Sequence, residues 1–154
     1  MNNNRKREQI MKAISIRNPY AHEIMCGIKE YEFRTWKTDY RGDLLICSSA
    51  NPKVKNTICG HALCIVTLED VVKITRKNYK EFELDVPPEM DYYAWHLTNV
   101  RVIKPFHVKG KLNFYNVDDA QIEIIDNGDD SLTEAEADEL FVKYIEPLLY
   151  TGKK

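Results

Sequence analysis

No run of apolar residues in this chain approaches the roughly 20 that a membrane-crossing helix needs. The longest runs are short and strand-like. Cysteine is scarce: Cys26, Cys47, Cys59 and Cys64 include no C-x2-C pair, and His22, His61, His96 and His107 add no zinc-ligand spacing. Neither a metal site nor a cofactor is therefore expected. Cys47 and Cys64 lie inside apolar runs, where small buried thiols belong. The opening "MNNNRKREQIMK" lacks the apolar stretch of a secretory signal, so the expected compartment is the cytoplasm, where thiols stay reduced. Internal repeats are absent too, and no linker is long enough to divide the chain.

What is present fits one domain with a single sizeable core: 154 residues, 44% hydrophobic and 30% charged. The net charge of −2 hides an asymmetry. From residue 118 onward there are 11 acidic residues against 3 basic, and the first 117 residues hold 19 basic against 13 acidic. A basic body suits a polyanion, because Lys and Arg displace the counterions condensed on phosphates. A surface whose acidic tail offsets the rest would read the same way, and charge alone does not choose.

Residues 1–11 read as a flexible tail. "KAISI" reads as a strand and "RNPYAHEIMCGIK" as a short helix. Asn18 is the expected N-cap, Pro19 the first helical residue and Gly27 the residue past the end, with Ala21, Ile24, Met25 and Ile28 as the apolar stripe. "DLLICSSA", "HALCIVTLEDVVKI" and "YYAWHLTNVRVIKPF" read as strands. "RKNYKEFELDVPPEMD" reads as a short helix and a loop broken by Pro87-Pro88, and "QIEII" as an edge strand. In "SLTEAEADELFVKYIEPLLY", Ser131 and Glu134 fit a capping box. Leu132, Ala135, Leu140, Tyr144 and Leu148 fit a packing stripe, and Pro147 is a helix terminator. The expected class is α+β: a small mixed β-barrel of five to six strands with flanking helices and a C-terminal helix.

The most informative stretch is "GIKEYEFRTWKTDYRG". Its period-two alternation places Lys29, Tyr31, Phe33 and Thr35 on one face and Glu30, Glu32, Arg34 and Trp36 on the other. Two carboxylates, a guanidinium and an indole on one face suit either a solvated surface or a pocket wall.

"ISIRNPYAHEIMCGIKEYEFRTWKTDYRGDLLICSS" resembles the opening of the ASCH domain (activating signal cointegrator homology), a branch of the PUA-like superfamily. The resemblance rests on Ser15 to Ala21, then Gly27, Lys29, Glu32, Arg34, Trp36, Arg41, Gly42 and the strand running to Ser48-Ser49. "GHALCIVTLEDV" and "YYAWHLTNVRVIKPFHVKGKLNFYNV" are similar to its later strands. The likeness covers about residues 13 to 117, giving an expected domain over 12–117 and an acidic extension over 118–154.

The resemblance implies a PUA-like barrel with a cleft between the first helix and the strands. Glu32, Arg34 and Trp36 would then form a pocket wall, with Lys29 at its mouth. Tyr20, Trp36 and Trp95 are candidates to stack on a base, and Arg17, Lys37, Arg41 and Lys53 to hold phosphates. Asn18, Pro19, Ser48 and Ser49 complete the expected ligand-binding set. Each has a plainer reading: a structural ion pair for Glu32 and Arg34, core packing for the tryptophans, turn capping for the serines.

Three functions remain open. The domain binds RNA, single-stranded nucleic acid or a nucleoside in its cleft; or it is a hydrolase; or its acidic C-terminal helix docks on a protein. The related acetylcytidine amidohydrolases carry G-x-K-x-x-T-x-R with catalytic Lys and Thr. Here Lys29 and Arg34 match, but Glu32 stands where the Thr belongs, which leaves Lys29 and Glu32 as an acid–base pair for a different hydrolytic route. The acidic helix is also placed to fold over a basic cleft as a polyanion mimic.

Overall fold

The computed structural model describes residues 9–152. Seven strands make one mixed sheet: β1 (Ile10–Ile16), β2 (Tyr31–Arg34), β3 (Gly42–Ser48), β4 (His61–Lys73), β5 (Tyr93–His107), β6 (Phe114–Asp118) and β7 (Ile124–Asp126). Their order is β2-β5-β4-β3-β1-β6, with β7 also on β5. β1 and β3 are parallel, and the other pairs are antiparallel. The α+β class agrees with the sequence reading. One more strand is present than expected, because residues 114–118 pair along β1. The ladder leaves β2 and β6 as edges, so backbone hydrogen bonds do not close a barrel. Strand β1 already begins at Ile10, inside the stretch assigned to a tail; residues 1–8 lie outside the described residues.

Alternation along β1 and β3 explains why both sheet faces are covered. Ile14, Ile16, Leu44 and Ile46 join the main core with Trp95, and Ala13, Leu45 and Cys47 join a second cluster with Ile65, Ile103 and Tyr115. All four cysteines are free thiols, and Cys47 and Cys64 are buried as expected. Burial pushes the Cys47 thiol up to about 11, which leaves it unreactive near neutrality.

Helix α1 (Tyr20–Met25) buries Ala21, Ile24 and Met25 in the main core. It starts one residue later than expected, so Pro19 rather than Asn18 is its N-cap; Asn18, one residue before, still accepts the His22 N–H on its Oδ1 at 3.3 Å. Gly27 ends it at φ +76°, a left-handed conformation that disfavours side chains. Ile28 lies beyond that turn and is exposed rather than part of the stripe.

The C-terminal helix α2 (Glu134–Leu140) is capped by Thr133 and Glu136, two residues past the expected pair. Thr133 Oγ1 accepts the Glu136 N–H at 3.1 Å, and Glu136 Oε1 accepts the Thr133 N–H at 3.0 Å. Both S-x-x-E and T-x-x-E fit this sequence, and the pair that makes both reciprocal bonds sets the helix start. After Leu140 the helix widens into a π turn (Phe141–Ile145), then tightens around Pro147. That register change turns Ile145, absent from the expected stripe, into the main core at 2% exposure. Tyr150 then bonds through its backbone to Asn56 and Thr57 at 2.8 Å each.

The acidic segment thus shares the core of the strands that precede it. Ile145→Ala is expected to cost about 2–5 kcal/mol, the range for deleting a buried aliphatic side chain. The exposed neighbour Val142→Ala should stay within about 0.5 kcal/mol. Urea unfolding at unchanged slope checks both. Equal, small losses would mean that the segment is not anchored where Ile145 sits.

Candidate functional site

The open edge of β2 is the geometric key. Strand β2 pairs with β5 through Glu32↔Trp95 and Phe33↔Ala94, and its other edge has no strand partner, leaving a gap between β2 and the end of β1. One side chain bridges that gap: Arg34 Nη2 donates to the Ser15 carbonyl oxygen at 3.0 Å. Beside this staple lies a cavity of about 630 Å³, lined by Arg17 and Tyr20 before and within α1, by Lys29, Glu32, Phe33 and Arg34, and by Ile74, Leu84, Pro88 and Tyr92 opposite. Its size is ordinary for a small-molecule site, for which about 300–1,000 Å³ is typical.

The wall opposite β2 comes from an excursion between β4 and β5. The Ile74 N–H bonds to the Tyr92 carbonyl at 2.9 Å, pinning the base of that excursion. A 3-10 turn (Tyr79–Phe82) sends Phe82 edge-on against Tyr31, with ring centroids 5.2 Å apart. A small cluster of Ile74, Phe82 and Ala94 with Phe33, Leu84 and Tyr92 then fixes the wall to the strand.

The charged groups are held tightly. Glu32 is 8% exposed. One carboxylate oxygen accepts the Phe33 N–H at 3.2 Å and the other pairs with Arg34 at 3.2 Å. Burial nevertheless pushes the Glu32 carboxyl above its ordinary value, against the opposing pull of Arg34 and Lys29. Lys29 is half-buried, its ammonium 4.5 Å from the Phe33 ring centroid and 5.5 Å from that of Tyr20. Desolvation lowers its pKa, and Glu32 partly restores it. A carboxylate has about four acceptor sites, and two on Glu32 are occupied, so capacity remains. Arg34 Nε is buried without a hydrogen-bond partner.

Of the expected ligand-binding residues, Arg17, Tyr20, Lys29, Glu32 and Arg34 line this cavity and the others do not. Trp95 is fully buried in the main core, its Nε1 donating to the Trp36 carbonyl at 3.3 Å, which removes it as a stacking platform. Trp36 packs edge-on against Trp95 and Phe114, at 4.8 and 5.3 Å between centroids. The strand alternation that aimed it at the cleft stops at Arg34, where the chain bends. Asn18 is buried, donating to the Ile58 carbonyl at 2.9 Å. Ser48 is buried too, bonded to the backbone of His61. Arg41 bonds the Thr38 and Tyr40 carbonyls and reaches Asp70 at 3.7 Å, away from the cavity. Pro19, Ser49, Lys37 and Lys53 are not in the lining.

Sequence reasoning missed Ser15, Ile16 and Phe33, the last assigned to the other face of the strand, and it missed Ile74, Leu84, Pro88 and Tyr92, since no local pattern reports where a long excursion folds back. Among the described residues none beyond Tyr92 lines the cavity, so the acidic helix does not cover it. Among the described residues no group of three His, Cys, Asp or Glu side chains is arranged to hold a metal ion, and no helix is long and apolar enough to cross a membrane.

A mixed sheet with a cleft of charged and apolar side chains at its open edge, lined in part by the G-x-K-x-x-E-x-R stretch, defines a small α+β domain. The ASCH domain model matches residues 14–107, more than half of the chain, and the chain belongs to the ASCH domain family. That family has a PUA-like fold and is often linked to RNA binding. A search of curated proteins finds no match. Among solved structures, the chain is similar to the crystal structure of ASCH from Zymomonas mobilis, with 14% identity over 92% of this chain and 96% of that one, at a TM-score of 0.49. A serine-to-alanine mutant of the Zymomonas mobilis protein gives 14% identity, 86% and 95% coverage and a TM-score of 0.48.

Proposed function

We propose that this protein binds RNA or another single-stranded nucleic acid by taking one nucleotide into the cleft at the β2 edge. One observation carries the reading: a half-buried ammonium, a buried carboxylate with spare acceptor capacity and a guanidinium meet at one open cavity with aromatic walls. Lys29 and the exposed Arg17 suit a phosphate. Glu32 suits the donor edge of a base, and Tyr20 and Tyr92 offer ring faces. The test is binding of single-stranded oligonucleotides across a salt series. Affinity should fall steeply with salt, and no retention at low salt would end the reading.

The Glu32 carboxyl supplies a pH signature. Its pKa lies above the ordinary 4.5, so it takes up a proton earlier than a free glutamate as pH falls. Protonation removes one negative charge from a cleft that also holds Lys29 and Arg34, so affinity for a polyanion should rise as pH falls through that window. Oligouridylate is a suitable probe, because neither its base nor its phosphodiesters titrate there. Glu32→Gln keeps an acceptor oxygen for the base while losing the negative charge, so it should bind the probe more tightly at neutral pH and flatten the acid limb. An unchanged acid limb in Glu32→Gln would show that another group is responsible.

A second reading has its own support. Burial moves Lys29 down and Glu32 up, toward each other, which is what an acid–base pair requires. Hydrolysis of a phosphodiester or a modified base by this pair predicts that Lys29→Ala and Glu32→Gln both abolish turnover. The amidohydrolase route of the G-x-K-x-x-T-x-R relatives is not favoured. Ser15, the aliphatic hydroxyl residue in the lining, turns its Oγ to the Tyr115 hydroxyl at 2.7 Å instead.

A further inference from the structure

A second cavity, of about 340 Å³, adjoins the cleft, and the two share Ile74 and Pro88 as common wall. It continues the groove along the same excursion, past Pro87 and Met90 to Thr75 and Arg76. Two features distinguish it. Arg76 is exposed and has no ion pair among the described residues. Met90 is 57% exposed and stands with the two proline rings as an apolar face next to that cation.

The charges of the whole lining balance, Lys73 and Arg76 against Glu89 and Asp91, and Lys73 reaches Asp91 at 3.9 Å. A cavity with no net charge has little hold on a free phosphate. A group tethered by a covalent link from next door would arrive at a high effective concentration instead. A cation beside apolar faces, one cavity along from a nucleotide site, matches the phosphodiester, sugar and base of the adjoining residue.

We propose that this second cavity is the subsite for the nucleotide adjoining the one held at Lys29, so that the protein takes single strands of two or more residues in preference to a lone nucleotide. The proposal rests on the cleft reading above. Pro88 is the partition over which the backbone passes, and Arg76 holds the phosphodiester on the far side.

The experiment measures affinities of the four ribonucleoside 5′-monophosphates and the four 5′-phosphorylated homodinucleotides at fixed low salt. For the preferred base, the dinucleotide should bind about tenfold or more tightly than the monophosphate. Arg76→Ala should remove most of that ratio while leaving monophosphate affinity within about twofold. Lys111→Ala, in a separate cavity beside Tyr115 and Val117, should leave the ratio intact and so exclude a general charge effect. Equal affinity for both lengths, or an Arg76→Ala loss of the same factor for each, overturns the subsite and leaves the cleft standing. Absence of binding by every probe and by longer strands removes the cleft reading, and the subsite falls with it.

Discussion

Lys29→Ala should weaken binding of a single-stranded oligonucleotide by about tenfold to a hundredfold, the range for losing a well-placed, partly desolvated cation. The effect is large because Lys29 is not an ordinary surface lysine. Its ammonium sits against Phe33 and Tyr20 and has already lost much of its water. A cation held in that way interacts with an incoming anion through a lower effective dielectric than bulk water provides. The same desolvation works against the folded protein, so the variant should melt within a few degrees of the parent. The slope of affinity against salt should also shrink by about one ion. A melting point that collapses with the affinity would assign Lys29 a structural role. Unchanged affinity would place the ligand elsewhere.

The second large effect is on stability. Trp95→Ala should cost about 3–5 kcal/mol, as for other buried tryptophans. In a domain of this size that lowers the melting temperature by about 10 °C. Trp95 has no exposed surface, packs at 4.8 Å from Trp36, and satisfies its indole N–H internally. A stacking platform would behave in the opposite way, losing ligand affinity at unchanged melting temperature. Thermal unfolding and binding measured on the same preparation therefore decide between core and platform.

That Trp95 and Trp36 lie away from the cavity, while Lys29, Glu32 and Arg34 line it, has a physical basis. The charged residues lie in or just before a strand with regular alternation, so spacing alone put Glu32 and Arg34 on one face. Trp36 lies two residues past the end of that strand, where the alternation no longer holds and burial decides its direction. The main strands were legible from composition because β3 and β4 carry unbroken apolar stretches of strand length and β5 is rich in aromatic and β-branched residues. The opposite cleft wall was not, because it depends on Phe82 reaching Tyr31 across about fifty residues of intervening chain, an aromatic contact that no local signal announces. The inward turn of the C-terminal segment was not legible for another reason. Charge describes a surface, and eleven acidic residues say nothing about the one isoleucine that a widened helical turn directs inward.

The central question is where a strand of nucleic acid lies on this protein. The direct measurement is an amide chemical-shift titration of the protein with a single-stranded oligonucleotide. It should perturb Ser15 to Arg17, Lys29 to Arg34 and the Ile74 and Leu84 to Tyr92 region together, with one saturation curve. Shifts confined to the separate face around His107 and Lys111, or scattered without saturation, would contradict it.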